Sequence, residues 1–350
     1  MLAALLTTLA LAAPPIWVDT IPGAPDLRGK DTITVLVFGD SGKGVTFKNV
    51  AEAAHRVCFE QRAAQPCDLG VLLGDNVYED GLTSPADDAW TAAFAAPLAS
   101  FAARPDFRFW VTAGNHDWRP GVHHDRGLRK IQAAIDTTKP DGLWQYPALA
   151  YEVPALPTWL HLYSVDTTSI VREGPRIDAM FDDLRGRMGR YDPDQWHVVF
   201  GHHAPVSTGM HAILDTYENN RWSTALERLR GLGLDLVLAG HDHHQEHLVT
   251  GGIPVLLQGN SSKGRKVHDT AYLDCRKWCH PGESRGKTHL GFLIVTFTRE
   301  RAVVDFFDER GAKINPDTTL APNPAGDGRE MGRCAPVEAP PTCPVKQPPR

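Results

Sequence analysis

Five apolar runs in this sequence end in residues that bind metals or move protons. Leu234 to Ala239 stops at Gly240-His241-Asp242-His243. In an extended chain residues two apart point the same way, so His241 and His243 can present both imidazoles at one rim of a sheet. Taken alone, the pair reads as two loop histidines. Four other runs end in similar chemistry: Ile33 to Phe38 before Gly39-Asp40-Ser41-Gly42, Leu69 to Leu73 before Gly74-Asp75-Asn76-Val77-Tyr78, Phe107 to Thr112 before Gly114-Asn115-His116-Asp117, and Val198 to Phe200 before Gly201-His202-His203. One Asp after a strand is ordinarily a turn or a helix cap. Repeated after every such run, the pattern points to a single site, because open α/β sheets gather ligands at the carboxyl ends of their strands. The candidate ligands are Asp40, Asp75, Tyr78, Asn115, His202, His241 and His243. Their number suits two metal ions that share one bridging ligand, with positions left for water and a substrate oxygen.

The segments between these runs must pack the strands side by side. Val50, Ala53, Ala54, Val57 and Cys58 recur at helical spacing within Asn49 to Gln61, and Cys58 falls on the inner face. Trp90, Phe94, Leu98 and Phe101 mark a helix broken or kinked near Pro97. Further helices are expected around Leu128 to Ile135, from Ile177 to Met188, and around Trp222 to Leu229. Tyr151 to Val153 and Leu160 to Val165 read as strands. The alternation predicts an α/β fold. Past His243, Pro254 to Gln258, Phe292 to Thr298 and Ala302 to Phe307 read as strands without long helices between them, which suggests a second sheet closing a sandwich.

The 350 residues are ample for a large core, and a formal net charge of -6 leaves no basic face for a general nucleic-acid binder. Residues 1–12 fit a short export signal ending in Ala10-Leu11-Ala12, although no Lys or Arg precedes its apolar stretch. Its length cannot span a bilayer. Residues 13–30 form a Pro-rich leader, 31–310 the catalytic domain, and 311–350 a Pro-rich tail. Between Ser261 and His289 lies a Gly-rich, largely basic insertion, which reads as a solvated loop or as a guide for an anionic substrate. The cysteines fall as sequence neighbours, Cys58 with Cys67, Cys275 with Cys279 and Cys334 with Cys343, which in an exported chain suggests local disulfides.

The set GDSG, GDNVY, GNHD, GHH and GHDH, in this order, resembles the calcineurin-like metallophosphoesterases. Within them it is similar to the purple acid phosphatases of the small, tartrate-resistant type. The wider family carries Asp-x-His in its first motif; here position 42 is Gly, and Tyr78 stands where the purple enzymes supply a replacement ligand. The resemblance implies a four-layer fold, two mixed β-sheets forming a central sandwich flanked by helices. It also implies that Asp40, Tyr78 and His243 hold ferric iron, that Asn115, His202 and His241 hold a divalent iron, zinc or manganese, and that Asp75 bridges them. The donor types agree, since carboxylate and phenolate suit a trivalent ion and imidazole and amide a divalent one.

In that scheme a metal-activated hydroxide attacks the phosphorus of a small phosphate ester. His116, not needed as a ligand, is placed to protonate the leaving alkoxide or to stabilise the transferring phosphoryl group. Asp117 could orient the His116 imidazole. His203 is a substrate contact or an outer hydrogen bond, His244 and His247 read as loop residues, and His123, His124 and His211 either line the pocket rim or, the preferred reading, are solvated loop histidines. Lys43 could approach a phosphate, but GDSGKG lacks the P-loop pattern. The expected function is an exported acid phosphatase, secreted or periplasmic, with no membrane or stable nucleic-acid partner. The alternatives are a phosphodiesterase or nucleotide pyrophosphatase on the same fold, or a non-catalytic phosphate- or metal-binding protein.

Overall fold

The computed structural model describes residues 13–174, 177–211, 216–265, 275–279, 289–322 and 328–334. The export signal at 1–12, most of the basic insertion and the end of the tail, Cys343 included, lie outside the described residues.

The strands are β1 (Ile33–Phe38), β2 (Leu69–Leu73), β3 (Phe109–Thr112), β4 (Trp144–Gln145), β5 (Ala150–Glu152), β6 (Leu160–Val165), β7 (Trp196–Phe200), β8 (Leu234–Ala239), β9 (Gln245–Thr250), β10 (Ile253–Gln258), β11 (Arg276–Cys279), β12 (Gly291–Phe297), β13 (Ala302–Asp308) and β14 (Thr318–Leu320). They form two seven-stranded mixed sheets, ordered β14-β13-β12-β1-β2-β3-β4 and β11-β9-β10-β8-β7-β6-β5. Parallel strands β1, β2 and β3 form the middle of one sheet, and parallel β6, β7, β8 and β10 the middle of the other. Every residue of β1, β2, β3, β7 and β8 is buried, as their largely apolar runs require of strands covered on both faces. The two sheets touch through polar contacts as well as apolar ones. Thr112 Oγ1 donates to Val165 O (3.0 Å), and Tyr151 Oη to Val111 O (2.7 Å).

Helices cover the outer faces. The helix Gly44–Arg56 buries Phe47, Val50, Ala51, Ala53 and Ala54, and runs on as a π-helical turn, Val57–Gln61. Phe47 meets Phe38 of β1 edge to face at 4.9 Å between centroids. Burying such a side chain contributes about 1.5–3 kcal/mol. The segment around Pro97 is broken as its proline dictates, into Asp88–Trp90, Thr91–Ala95 and Ala99–Ala102.

Several expectations are corrected. The strands after β8 do not form a sheet of their own: β10 pairs in parallel with β8, whereas β12 and β13 extend the β1 sheet antiparallel. The polar stretch Gln245–Thr250 is a strand, so His247 is not a loop residue, and His244 is buried between Asp242 and Glu246. The leader is docked: Leu149 N donates to Pro15 O and Ala150 N to Ile16 O, and Trp17 Nε1 donates to Met180 O. Part of the expected tail is β14, paired with β13. Cys58 pairs with Cys67 as expected, but Cys275 pairs with Cys334, 59 residues away, at a Cα–Cα distance of 5.5 Å. Cys279 is also disulfide-bonded.

Candidate active site

All five motifs leave their strands at the same end of the sandwich, and their loops are laced together by backbone hydrogen bonds. Asp40 N donates to Gly74 O (3.1 Å), Gly42 N to Asp75 O (3.0 Å), and Gly240 N to His202 O (2.9 Å). The turns are tight enough that Asp40, Asp75 and His241 adopt positive φ, at 54°, 51° and 71°. For residues with a Cβ this costs on the order of 1–3 kcal/mol each, a strain that concentrates at functional sites. A Cβ at position 42 would meet the Asn76 carbonyl carbon, Asp75 O and Val77 N at 2.7 Å, so a side chain there is shut out. A Cβ at position 114 would come within 2.3 Å of Asp75 N.

One side of the pocket gathers Asp40, Tyr78 and His243. Tyr78 Oη lies 2.9 Å from Asp40 Oδ1 and 3.4 Å from His243 Nε2, which is itself 3.2 Å from Asp40 Oδ1. On the other side His202 Nδ1 lies 2.8 Å from Leu73 O; donating there leaves the Nε2 lone pair facing inward. That Nε2 is 3.0 Å from His241 Nδ1, 3.1 Å from Asn115 Oδ1 and 3.4 Å from Asp75 Oδ1. The sequence-derived ligands are thus brought together, with Asp75 in reach of both sides. Donor atoms of Asp40, Asp75 and His202 lie within 4.8 Å of one another, a grouping able to hold a metal ion. So do donor atoms of His203, Glu218 and His241.

Charge makes the same demand. Burial, then Asp40 and Asp75, push the Tyr78 phenol well above its usual value. Burial works against charge on His202, yet Asp75 and Asp40 raise its imidazole above the usual range. Buried carboxylates, a phenol and imidazoles packed this closely form an environment that a multivalent cation relieves.

His116 sits beside this cluster. Its ring packs edge-on against Tyr78 at 4.6 Å, its Nδ1 lies 2.8 Å from Glu79 O, and its Nε2 is 3.9 Å from Asp75 Oδ2. Burial draws its imidazole below the usual value, against the pull of Asp75 and the Glu79 carbonyl.

Asp117 is elsewhere than expected. It does not orient His116, whose Nδ1 is taken by Glu79; its oxygens accept from Gly114 N (2.8 Å), Asn76 N (3.1 Å), Val77 N (3.1 Å) and Asn76 Nδ2 (3.0 Å). Every neighbour is a donor, which favours the carboxylate, while burial and Asp75 push it up to about 7. Asp117 therefore pins the β2 and β3 loops to each other.

His203 is fully buried behind the cluster, with Nδ1 3.0 Å from Thr167 Oγ1, Nε2 3.4 Å from Glu218 Oε2, and its ring 4.4 Å from that of His241. His123 and His124 are exposed, as expected. His211 is not a solvated loop histidine but follows the other reading, lining the site: its ring packs on His241 at 4.0 Å, and its N donates to Asp242 Oδ2. Only its place in the loop after the GHH motif hinted at this.

Residues 33–245 match the family described as Calcineurin-like phosphoesterase. The chain belongs to that family. This calcineurin-like phosphoesterase is therefore a phosphoric ester hydrolase, and its curated relatives are purple acid phosphatases. It is 27% identical over 320 residues to purple acid phosphatase 4 of Arabidopsis thaliana, covering 85% of each chain. Its fold is similar to that of GAP50, the anchor in the inner membrane complex of Plasmodium (TM-score 0.64, 16% identity, 84% of this chain and 90% of that one). It is also similar to the purple acid phosphatase PPD1 of yellow lupin seeds (TM-score 0.63, 12% identity, 85% of this chain and 55% of that one). The phosphoesterase has, among the described residues, no helix long and apolar enough to cross a membrane.

Proposed function

We propose that this phosphoesterase hydrolyses phosphate monoesters at a centre of two metal ions, in a secreted or periplasmic setting. The observation that carries the reading is the convergence of Asp40, Asp75, Tyr78, Asn115, His202, His241 and His243 from five strand ends onto one pocket. Asp40, Tyr78 and His243 would hold ferric iron, and Asn115, His202 and His241 a divalent iron, zinc or manganese. Asp75, close to both sets, would join them. With the first-motif position 42 closed to a side chain, Tyr78 would supply the remaining hard donor, which suits a highly charged cation. Two such ions would polarise the ester and lower the pKa of water.

His116 serves the leaving group. A ring fixed through Nδ1 on the Glu79 carbonyl has Nε2 to hand a proton to the departing oxygen. Because burial lowers its pKa, the imidazolium is populated on the acid side, which fits an enzyme favoured by mildly acidic conditions. Asp117 acts through the loops, holding Gly114 and Asn76 so that Asn115 and His116 face the pocket. Disulfides fit an oxidising compartment.

The test is kcat/KM on metal-replete protein for 4-nitrophenyl phosphate and bis(4-nitrophenyl) phosphate, from acid to neutral pH. Preference for the monoester in acid supports the proposal. Preference for the diester moves the protein to the phosphodiesterases or nucleotide pyrophosphatases. Hydrolysis of neither means a non-catalytic phosphate- or metal-binding protein on this fold.

A further inference from the structure

Strand β6 ends at the same end of the sandwich as the five motif strands and contributes none of the proposed ligands. It runs parallel to β7 with Ser164 opposite Phe200, so the turn after it, Asp166-Thr167, lies against the Gly201-His202-His203 loop. Both side chains are fully buried. Asp166 fixes the turn on two sides. Its Oδ1 accepts from Ser169 N (3.2 Å), capping the short helix Thr167–Val171, and its Oδ2 accepts from Trp118 Nε1 (2.7 Å), beside the loop of His116. Thr167 is thereby pressed onto Gly201, where a Cβ would come within 2.5 Å of the threonine methyl.

The Thr167 hydroxyl meets three groups of that loop. Its Oγ1 accepts from His202 N (3.1 Å) and from His203 N (2.9 Å), and His203 Nδ1 lies 3.0 Å away. A hydroxyl has two lone pairs and one hydrogen. The two N–H groups occupy the lone pairs, so the hydrogen is left for His203 Nδ1, which must be bare. The ring proton of His203 then sits on Nε2, 3.4 Å from Glu218 Oε2, and Arg172 Nε donates to the other oxygen of Glu218 at 3.0 Å. His202 is set the other way, with Nδ1 donating to Leu73 O and a bare Nε2 turned toward Asn115 and His241. Neighbouring histidines thus carry opposite tautomers, and a metal takes only a bare nitrogen.

The difference matters because a rival set of donors stands alongside. Donor atoms of His203, Glu218 and His241 lie within 4.8 Å of one another, and the rings of His203 and His241 are 4.4 Å apart. A His203 ring free to carry its proton on Nδ1 would offer Nε2 to an ion there and draw His241 away from His202. We propose that Thr167 is a positioning residue that decides which histidine of the adjacent pair binds metal. Its hydroxyl keeps the His203 proton on Nε2, so that His203 donates to Glu218, and His202 and His241, with Asn115, are left to the divalent ion. The proposal rests on the two-metal reading above.

The full chain loaded with zinc tests it by spectroscopy and by metal affinity. In proton–nitrogen NMR of wild type carrying isotope-labelled histidine, His203, assigned from the peaks lost in His203→Gln, should show a protonated Nε2 and a bare Nδ1. A protonated Nδ1 overturns the proposal, and this readout needs no Thr167 variant to fold. Competition with a chromogenic chelator gives the affinity of the divalent site. Thr167→Val keeps the side-chain shape without the hydroxyl and should weaken that affinity by about 10- to 100-fold, whereas Thr167→Ser should stay within about 3-fold of wild type. Adding Glu218→Gln to Thr167→Val removes the rival carboxylate and should recover at least about 3-fold of the loss, where a role of Thr167 in loop stability alone predicts no recovery. Unchanged affinity in Thr167→Val, a Ser variant as weak as the Val variant, or no recovery in the double variant overturns the selection. A wild type that takes up two zinc ions and hydrolyses neither nitrophenyl ester removes the hydrolase reading and leaves the selection standing; one that takes up no zinc removes both.

Discussion

Replacing Asp117 by Asn alters one atom of a buried side chain and should damage both stability and turnover. In the native protein Oδ2 accepts from Gly114 N at 2.8 Å and Asn76 Nδ2 at 3.0 Å, while Oδ1 accepts from Asn76 N and Val77 N at 3.1 Å. An asparagine has one acceptor oxygen and one donor nitrogen. With its nitrogen in the place of Oδ2 it confronts Gly114 N and Asn76 Nδ2; turned the other way it confronts Val77 N, while Asn76 N keeps an acceptor 3.2 Å away at the Oδ2 position. Each donor left unsatisfied costs about 1–3 kcal/mol, so in the less costly orientation the variant should lose about 1–3 kcal/mol. That is a large share of the ~5–15 kcal/mol by which a folded protein is stable. Urea denaturation is the assay: the midpoint should fall with an unchanged slope, the mark of altered stability rather than altered compactness. kcat/KM should fall as well, because the loop carrying Asn115 and His116 is no longer held. A variant within about 1 kcal/mol of wild type whose pH–rate profile is shifted would refute this reasoning and restore Asp117 as the orienting partner of His116.

Other outcomes follow from the same geometry. Tyr78→Phe should stay folded, since it removes one hydrogen bond to Asp40 worth about 1 kcal/mol, but should lose visible absorption and bound iron; a colourless active wild type with zinc or manganese alone would remove the ferric assignment. Acid should weaken the fold through His197. Its Nε2 lies 3.2 Å from Asp192 O and its Nδ1 3.3 Å from Tyr163 Oη, partners that suit the neutral ring, and burial draws its pKa down to about 4 from the usual 6.5. With the folded pKa below the unfolded one, the unfolded chain binds more protons in that window, so stability falls as pH drops from 6.5 toward 4. The loss is up to about 3 kcal/mol, at about 1.4 kcal/mol per pH unit. Tm measured across that range should fall less steeply for His197→Gln, and identical slopes would dismiss the idea.

The strand runs and the residues at their ends were legible in the amino-acid sequence because both are local. Ile33 to Phe38 and Leu234 to Ala239 are apolar at every position but two, so a doubly covered strand is the arrangement that buries them. Polar residues directly after such a strand must lie at its carboxyl end, and five such ends give a site. β9 was not legible, since Gln245-Glu246-His247 has no apolar alternation; its burial comes from neighbours such as Arg276, which pairs with Glu246 at 2.7 Å.

Tertiary structure alone decided which groups meet. Periodicity reports how deeply a residue is buried and says nothing of its partner, so it could not send β10 to one sheet and β12 and β13 to the other. Closeness along the chain misled for Cys275, whose partner is set by a 5.5 Å Cα–Cα approach to Cys334. It misled again for Asp117, next in sequence to His116 but turned toward the N–H groups of Gly114, Asn76 and Val77. His211 joined the site for the same reason: hydrogen bonds and ring contacts act over a few ångströms of space, and only the folded chain determines which residues stand that close.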